Sequence, residues 1–216
     1  MKVVLVAYAV LMLAYMTFKA TGVGQPLRGI VKMILSTTFL GVGTYYVAIN
    51  GWLLRDAVAL MGLLLAWIGD LMLIFKHKLS YFHVGCTSFA FANAFLTVHA
   101  ILKYQWQWWS ILMFVAFYVT VIICQRKGFF SFGRSTLYLN CYSVTVGYNG
   151  LLGLAIAIAT PTLPAILFGV GSLLFLASDV VLGLFMFKIK KWQMDCFNSL
   201  LYFSALMLIA LSLSCS

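Results

Sequence analysis

The sequence predicts an all-α, polytopic membrane protein with eight transmembrane helices. Of its 216 residues, 64% are hydrophobic and only 8% are charged, and the mean hydropathy is +1.07. This composition is typical of a protein whose main solvent is lipid. The apolar runs are continuous rather than alternating, which favours helices over a transmembrane barrel.

Eight segments are long and apolar enough to span a bilayer, since a spanning helix needs roughly 20 mostly apolar residues. The first has only Lys2 before it and runs to Lys19 without a small-residue cleavage site, so we expect a retained helix rather than a signal peptide. Three prolines and no low-complexity segment leave no candidate linker, so we expect a single integral membrane domain, 1–216. The segments are, in order, 3–18, 30–49, 56–75, 82–102, 106–124, 137–159, 164–187 and 196–214.

Basic residues predict the orientation of these helices. Eleven of the 14 lysines and arginines follow helices one, three, five and seven, and the other three are Lys2, Arg55 and Lys103. Because short basic loops resist translocation, we expect the odd-numbered loops in the cytoplasm and both termini outside, in the plasma (cytoplasmic) membrane. The net charge of +10 therefore indicates topology and not nucleic-acid binding. The eleven are Lys19, Arg28, Lys32, Lys76, Lys78, Arg126, Lys127, Arg134, Lys188, Lys190 and Lys191.

The cysteines predict neither a disulfide framework nor a metal site. They are odd in number, have no CxxC spacing and lie mostly within or at the ends of helices, so we interpret them as apolar packing residues. They are Cys86, Cys124, Cys141, Cys196 and Cys215.

Two of the four carboxylates lie inside apolar helices in nearly the same local sequence. Asp70 lies in 62–73 and Asp179 in 171–182, which are offset by 109 residues. The same offset carries helices one, two and four onto helices five, six and eight, so we predict parallel four-helix repeats of about 1–105 and 106–216. The alternative is a chance match, because glycine and leucine are common in membrane helices.

An ionisable group at membrane depth is costly and by default indicates function. Asp70 and Asp179 lie at similar depth, below the midplane, so we expect them to share one cavity and to supply one acid and one base. The structural alternative is an interhelical hydrogen bond that fixes the fold. Asp56 and Asp195 lie at helix ends beside basic residues, where we expect interfacial positions.

Short motifs follow one another in order along the predicted helices: Gly69-Asp70-Leu71-Met72-Leu73, then Phe82, Gly85 and Phe89, then Ser178-Asp179 and Tyr202-Phe203-Ser204-Ala205. Together they resemble the YhhN family of lysoplasmalogenase-like membrane proteins. One family position departs from the pattern, because Asn93 replaces a histidine. Leu206 likewise replaces a glutamine, and Lys32-Met33 replaces a Lys-Pro pair. An amide does not titrate near neutral pH, so either the two aspartates suffice or the activity is changed.

The resemblance implies a hydrolase that cleaves the vinyl ether of a lysoplasmalogen to a fatty aldehyde and a glycerophospho-base. This reaction needs a protonated acid, a carboxylate that stabilises the cation and activates water, and neither a metal nor a cofactor. Asp70 and Asp179 can each fill either role; the better-defined motif favours Asp70 as the acid. The implied partners are the lysophospholipid substrate and membrane lipids.

Five further residues are candidates for substrate binding. Lys32 and His83 open helices two and four at the depth of a lipid phosphate, although both also suit ordinary interfacial positions. Tyr142 and Asn149 on helix six can donate hydrogen bonds across the bundle, where polar contacts between helices are common. Asn93 occupies the family's histidine position.

Two other function classes fit the same pattern. A proton-coupled transporter is also built from repeats with carboxylates in the membrane, although neither aspartate helix has a clear Gly or Pro break near the site. A non-catalytic lysolipid-binding protein fits the change at Asn93. An enzyme should act in detergent without a gradient, a carrier should need sealed vesicles, and a binder should retain lysolipid without turnover.

Overall fold

A computed structural model describes residues 1–22, 24–75, 78–128, 136–188 and 190–214. These residues form eight α-helices, which confirms the predicted all-helical membrane fold; Lys76, Arg134 and Cys215 lie outside them. Seven helices are long and apolar enough to cross a membrane, and α5 is a shorter apolar helix. The helices are α1 Lys2–Ala20, α2 Gln25–Ile49, α3 Leu54–Ile74, α4 Leu79–Lys103, α5 Ser110–Arg126, α6 Thr136–Ala159, α7 Leu163–Phe187 and α8 Trp192–Leu211, with a 3₁₀ turn at Ser212–Ser214.

Helices α2 and α8 begin at least one full turn before their predicted apolar segments, and the residues at their starts explain the difference. Gly24 precedes α2 and Pro26 lies in its first turn, where a proline suits the helix start because no backbone N–H is needed there. Asp195 lies in the first turn of α8, where a negative charge is favourable near the helix N-terminus. Both added turns carry cavity-lining residues.

Six helices form a closed ring in which each contacts its neighbours, in the order α2, α3, α4, α6, α7 and α8, with α8 returning to α2. Helix α1 packs on α2 and α8, and α5 packs on α6. Phe39, Phe168, Phe175 and Phe203 are almost completely buried within the bundle. The bundle end formed by the loops after α1, α3, α5 and α7 is called the basic end below.

The same close helix contact occurs twice. A Cβ atom on Gly62 would lie 3.0 Å from the backbone oxygen of Ala92, and one on Gly171 would lie 2.9 Å from that of Ala205. Glycine therefore lets α3 approach α4, and α7 approach α8, in the same way. This repetition supports the predicted four-helix repeats, which stay a prediction.

A buried polar cluster lies at the opposite end from the basic end. Asp56 is 0% exposed, and its Oδ1 lies 3.9 Å from Nζ of Lys103. Lys103 also donates to the backbone oxygen of Ser212 at 3.1 Å. A cation from the end of α4 therefore compensates this carboxylate inside the bundle, and the expected interfacial depth of Asp56 stays a prediction.

Candidate functional site

A cavity of about 510 Å³ lies between the helices, and residues of all eight helices line it. Its volume is in the usual range for sites that bind small ligands. Asp70 from α3 and Asp179 from α7 both line this cavity. The structure thus brings together the two carboxyls that the sequence analysis singled out.

Asp70 is held by three side chains from two other helices. Its Oδ1 lies 2.9 Å from Nζ of Lys32, and its Oδ2 accepts hydrogen bonds from Ser36 Oγ at 2.6 Å and Tyr202 OH at 2.8 Å. Lys32 and Ser36 are one helical turn apart on α2, so both reach the same carboxylate. Asp70 is only 1% exposed, and an ammonium group directly compensates its negative charge.

The ring of Tyr202 is fixed by other aromatic rings. Phe89, Phe175 and Phe203 pack edge-on against it, with ring centroids 5.8, 5.5 and 5.0 Å away. Edge-to-face packing is a favourable arrangement for aromatic rings. The phenol of Tyr202 therefore reaches Asp70 from a rigid apolar wall.

Asp179 has a different set of partners. Its Oδ2 accepts a hydrogen bond from Tyr142 OH at 2.7 Å. Among the residues that the structure describes, no cation pairs with Asp179; the ion pairs are Lys19 with Asp195, Lys32 with Asp70 and Lys103 with Asp56. The two carboxyls of the cavity therefore differ, since one is ion-paired and the other is bound by a neutral phenol.

A third carboxylate lines the cavity at the basic end. Asp195 Oδ1 lies 2.7 Å from Nζ of Lys19, which also donates to Ser199 Oγ at 2.6 Å. Asp195 lies in the first turn of α8 and Lys19 in the last turn of α1, so this pair joins the two helices. Arg28 lines the same region from the first turns of α2.

The structure places the five predicted binding residues in two groups. Lys32 and Tyr142 line the cavity and contact Asp70 and Asp179, respectively. Asn93, Asn149 and His83 are not among the described residues that line it. These three side chains instead make contacts between helices.

Asn93 and Asn149 form a buried polar bridge between α4 and α6. Asn149 Nδ2 donates to Asn93 Oδ1 at 3.0 Å, and Asn93 Nδ2 donates to the backbone oxygen of Phe89 at 2.9 Å. The ring of His83 stacks on Tyr138, with ring centroids 4.3 Å apart. All three positions hold helices together beside the cavity.

Some cavity residues were not assigned to the site from the sequence. Ser36 had a usable signal, since it lies four residues after Lys32 and so shares its helix face. Tyr202 belonged to a recognised motif, but nothing in the sequence pairs it with a carboxylate 132 residues away. Three charged residues that line the cavity also had no assigned role: Lys19, Arg28 and Asp195.

Residues 27–213 of the chain match the model of the YhhN family. Comparisons with curated proteins and with solved structures gave no match. The matched range includes Lys32, Asp70, Tyr142, Asp179 and Tyr202, so the described polar contacts of the Asp70 and Asp179 carboxyls lie within it.

Proposed function

Because this chain belongs to the YhhN family, we propose that it is a lysoplasmalogenase-like hydrolase that cleaves the vinyl ether bond of a lysoplasmalogen. Family membership supports the reaction class, since the family is associated with lysoplasmalogenase-like function. The observation that carries the proposal is that two carboxyls with unlike partners line one cavity.

The unlike partners assign one role to each carboxyl. Lys32 pairs with Asp70, and an ion-paired carboxylate suits a group that stabilises a cation and activates water. Asp179 has a phenol and no described cation beside it, so it is the group that can carry the proton. This assignment reverses the preference for Asp70 as the acid, which rested only on its better-defined motif.

The first chemical step is protonation of the alkene. Asp179 donates a proton to the vinyl carbon farther from the ether oxygen, and the double-bond electrons form the new C–H bond. The carbon beside oxygen becomes an oxocarbenium ion, which the negative charge of Asp70 stabilises across a cavity of low polarity. Asp179 is left as a carboxylate.

The second stage adds water and restores both carboxyls. Asp70 takes a proton from a water molecule while the oxygen of that water bonds to the cationic carbon. This addition gives a hemiacetal. Asp70 then returns that proton to the glycerol oxygen while Asp179 removes the hemiacetal hydroxyl proton, and the C–O bond breaks. The products are a fatty aldehyde and a glycerophospho-base, with Asp179 protonated and Asp70 ionised as at the start.

A second, apolar groove supports a lipid substrate. It has a volume of about 790 Å³, lies between α2 and α3, and is lined by exposed apolar residues such as Ile30, Ile34 and Phe75. The groove and the central cavity share Gln25, Gly29 and Ile74. We propose that the alkenyl chain enters from the bilayer through this groove.

The position of Asn93 supports activity despite the missing histidine. Its amide bonds to Asn149 and to the backbone of Phe89, between α4 and α6. The proposed proton transfers use Asp70 and Asp179 and require no titratable group at position 93. The change at this position is therefore compatible with turnover.

Hydrolysis in deuterated water tests this function and its mechanism together. The purified protein in detergent, with no gradient, should release aldehyde carrying one deuterium on the carbon next to the carbonyl. The control is the product aldehyde incubated alone, which measures exchange with solvent. Substrate movement only in sealed vesicles would indicate a carrier instead, and retention of intact lysolipid without turnover would indicate a binding protein.

A further inference from the structure

Among the described residues, three cations line the central cavity, and Arg28 differs from the other two. Lys19 pairs with Asp195 at 2.7 Å and Lys32 pairs with Asp70 at 2.9 Å. Among the described residues, no carboxylate pairs with Arg28. Arg28 therefore adds a positive charge to the cavity that the described side chains do not compensate.

The guanidinium of Arg28 is also incompletely hydrogen-bonded. Its Nε atom is buried and, within the described part of the chain, has no hydrogen-bond partner. A buried donor without an acceptor is destabilising, and more so when the group is charged. A donor of this kind that lines a cavity is suited to an acceptor brought by a ligand.

The helix geometry places Arg28 one turn along α2 from Lys32, the residue that pairs with Asp70. Arg28 and Lys32 are four residues apart on α2, so they share a face and are separated by about 6 Å along the helix axis. Lys32 reaches Asp70, and Arg28 lies one turn closer to the basic end. In a lysoplasmalogen, a single glycerol unit separates the vinyl ether oxygen from the phosphate, which is a similar span.

We propose that Arg28 is the anchor of a phosphate-binding subsite at the basic end of the cavity. The planar guanidinium donates two parallel hydrogen bonds to phosphate oxygens, a geometry that lysine cannot provide. The amides of Gln25 and Asn198 line the same cavity and can donate to the remaining oxygens. The proposal rests on the proposed function, because the lipid phosphodiester at this position sets the vinyl ether beside Asp70 and Asp179.

This assignment replaces the two residues that the sequence suggested for the phosphate. Lys32 is already paired with the carboxylate of Asp70, and its Nζ also donates to the Asp70 backbone oxygen at 3.1 Å. His83 stacks on Tyr138 and is not among the described cavity residues. Arg28 is left as the cation that can recognise an anion from the ligand.

Binding of a lipid that cannot be hydrolysed tests the subsite without requiring turnover. The ligand is an alkyl ether lysophospholipid, and the matched ligand without phosphate is the corresponding alkylglycerol. Affinities are measured on the full-length protein in detergent for wild type, Arg28→Gln and Arg28→Lys. The control variant is Arg126→Gln, an exposed arginine at the end of α5.

We expect Arg28→Gln to weaken binding of the lysophospholipid about 10- to 100-fold and to leave alkylglycerol binding unchanged. Arg28→Lys should give an intermediate loss, because it keeps the charge but not the planar fork. Equal lysophospholipid affinities in wild type, Arg28→Gln and Arg126→Gln would overturn the subsite. A parallel loss for alkylglycerol would also overturn it, since the effect would then be structural.

Inorganic phosphate distinguishes a lipid phosphate from a soluble one. If the subsite serves the lipid, millimolar phosphate should compete only weakly with the lysophospholipid. Arg28-dependent phosphate binding by a protein that does not bind the lysophospholipid would support the phosphate subsite but assign it to a soluble ligand. Because the alkyl ether has no vinyl group, failure of hydrolysis and failure of this subsite are separate results.

Discussion

Asp70 and Asp179 differ in what surrounds each carboxyl, and the proposed chemistry depends on that difference. Lys32, Ser36 and Tyr202 bind the first, whereas Tyr142 binds the second. An ion-paired carboxylate and a carboxyl bound by a neutral donor are suited to opposite halves of an acid–base reaction.

Replacing Tyr142 by phenylalanine tests the role of the single donor to Asp179. We expect kcat to fall on the order of 10-fold, since the loss of one hydrogen bond that orients the acid corresponds to about 1.4 kcal/mol. The control is Tyr148→Phe on the same helix, whose hydroxyl accepts from Trp106 Nε1 at 2.9 Å. The rate of aldehyde release is measured for both variants. Equal rates for Tyr142→Phe and Tyr148→Phe would show that Tyr142 has no role in the mechanism.

Lys32 and Asp70 should be coupled in stability as well as in activity. Lys32→Met leaves a carboxylate that is 1% exposed without its cation, so we expect the melting temperature in detergent to fall by several degrees. Breaking a buried pair is destabilising by about 3–5 kcal/mol. The double variant Lys32→Met/Asp70→Asn should melt higher than Lys32→Met alone; a lower melting temperature would contradict the pairing.

The sequence predicted the two cavity carboxyls but only part of their surroundings. A carboxylate within an apolar helix stands out because its burial is unfavourable, and this made Asp70 and Asp179 visible. Tyr202 contacts Asp70 across 132 residues, and no local pattern records such a distance. The sequence also could not predict that the side chain of Asn93 bonds to α6 and not to a ligand, because a buried amide can do either.

At the level of helices, the apolar runs predicted the number and order of the elements better than their ends. Helices α2 and α8 each begin about one turn before their apolar segments, with Gly24, Pro26 and Asp195 marking the starts. Helix α5 begins at Ser110 and not at 106. Hydropathy averages over about 20 residues, so it locates a span but not the polar first turn that lines the site.

The close contact of α3 with α4 should depend on Gly62. An alanine Cβ there would lie 2.9 Å from Cγ of Leu96 and 3.0 Å from the backbone oxygen of Ala92, so the helices must separate. We expect Gly62→Ala to lower the free energy of unfolding by about 1–3 kcal/mol, an ordinary cost of overpacking. Chemical unfolding in detergent measures this value.

Gly41 provides the matched control for that substitution. It lies within α2, and a Cβ there would meet nothing within 4 Å. Gly41→Ala should be neutral or slightly stabilising, because alanine is the better helix former. A Gly62→Ala protein as stable as Gly41→Ala would contradict the proposed close contact.

For the whole molecule, the distribution of basic residues predicts which side of the membrane the cavity faces. With eleven of the 14 lysines and arginines in the odd-numbered loops or in the helix turns beside them, the basic end should be cytoplasmic and both termini extracytoplasmic. Fusions of alkaline phosphatase to either terminus should be active in bacterial cells, and fusions of green fluorescent protein should be dark. The opposite pattern would place the proposed phosphate subsite outside the cell.

The central claim is that Asp70 and Asp179 act together on a lysoplasmalogen. The most direct test is aldehyde release in detergent by the wild-type protein beside Asp70→Asn and Asp179→Asn, with Asp56→Asn as a control for a buried carboxylate outside the cavity. We predict turnover by wild type and Asp56→Asn, and a loss of at least about 100-fold in each of the other variants. Wild-type rates in a folded Asp70→Asn or Asp179→Asn protein, or no turnover by the folded wild type, would contradict the account.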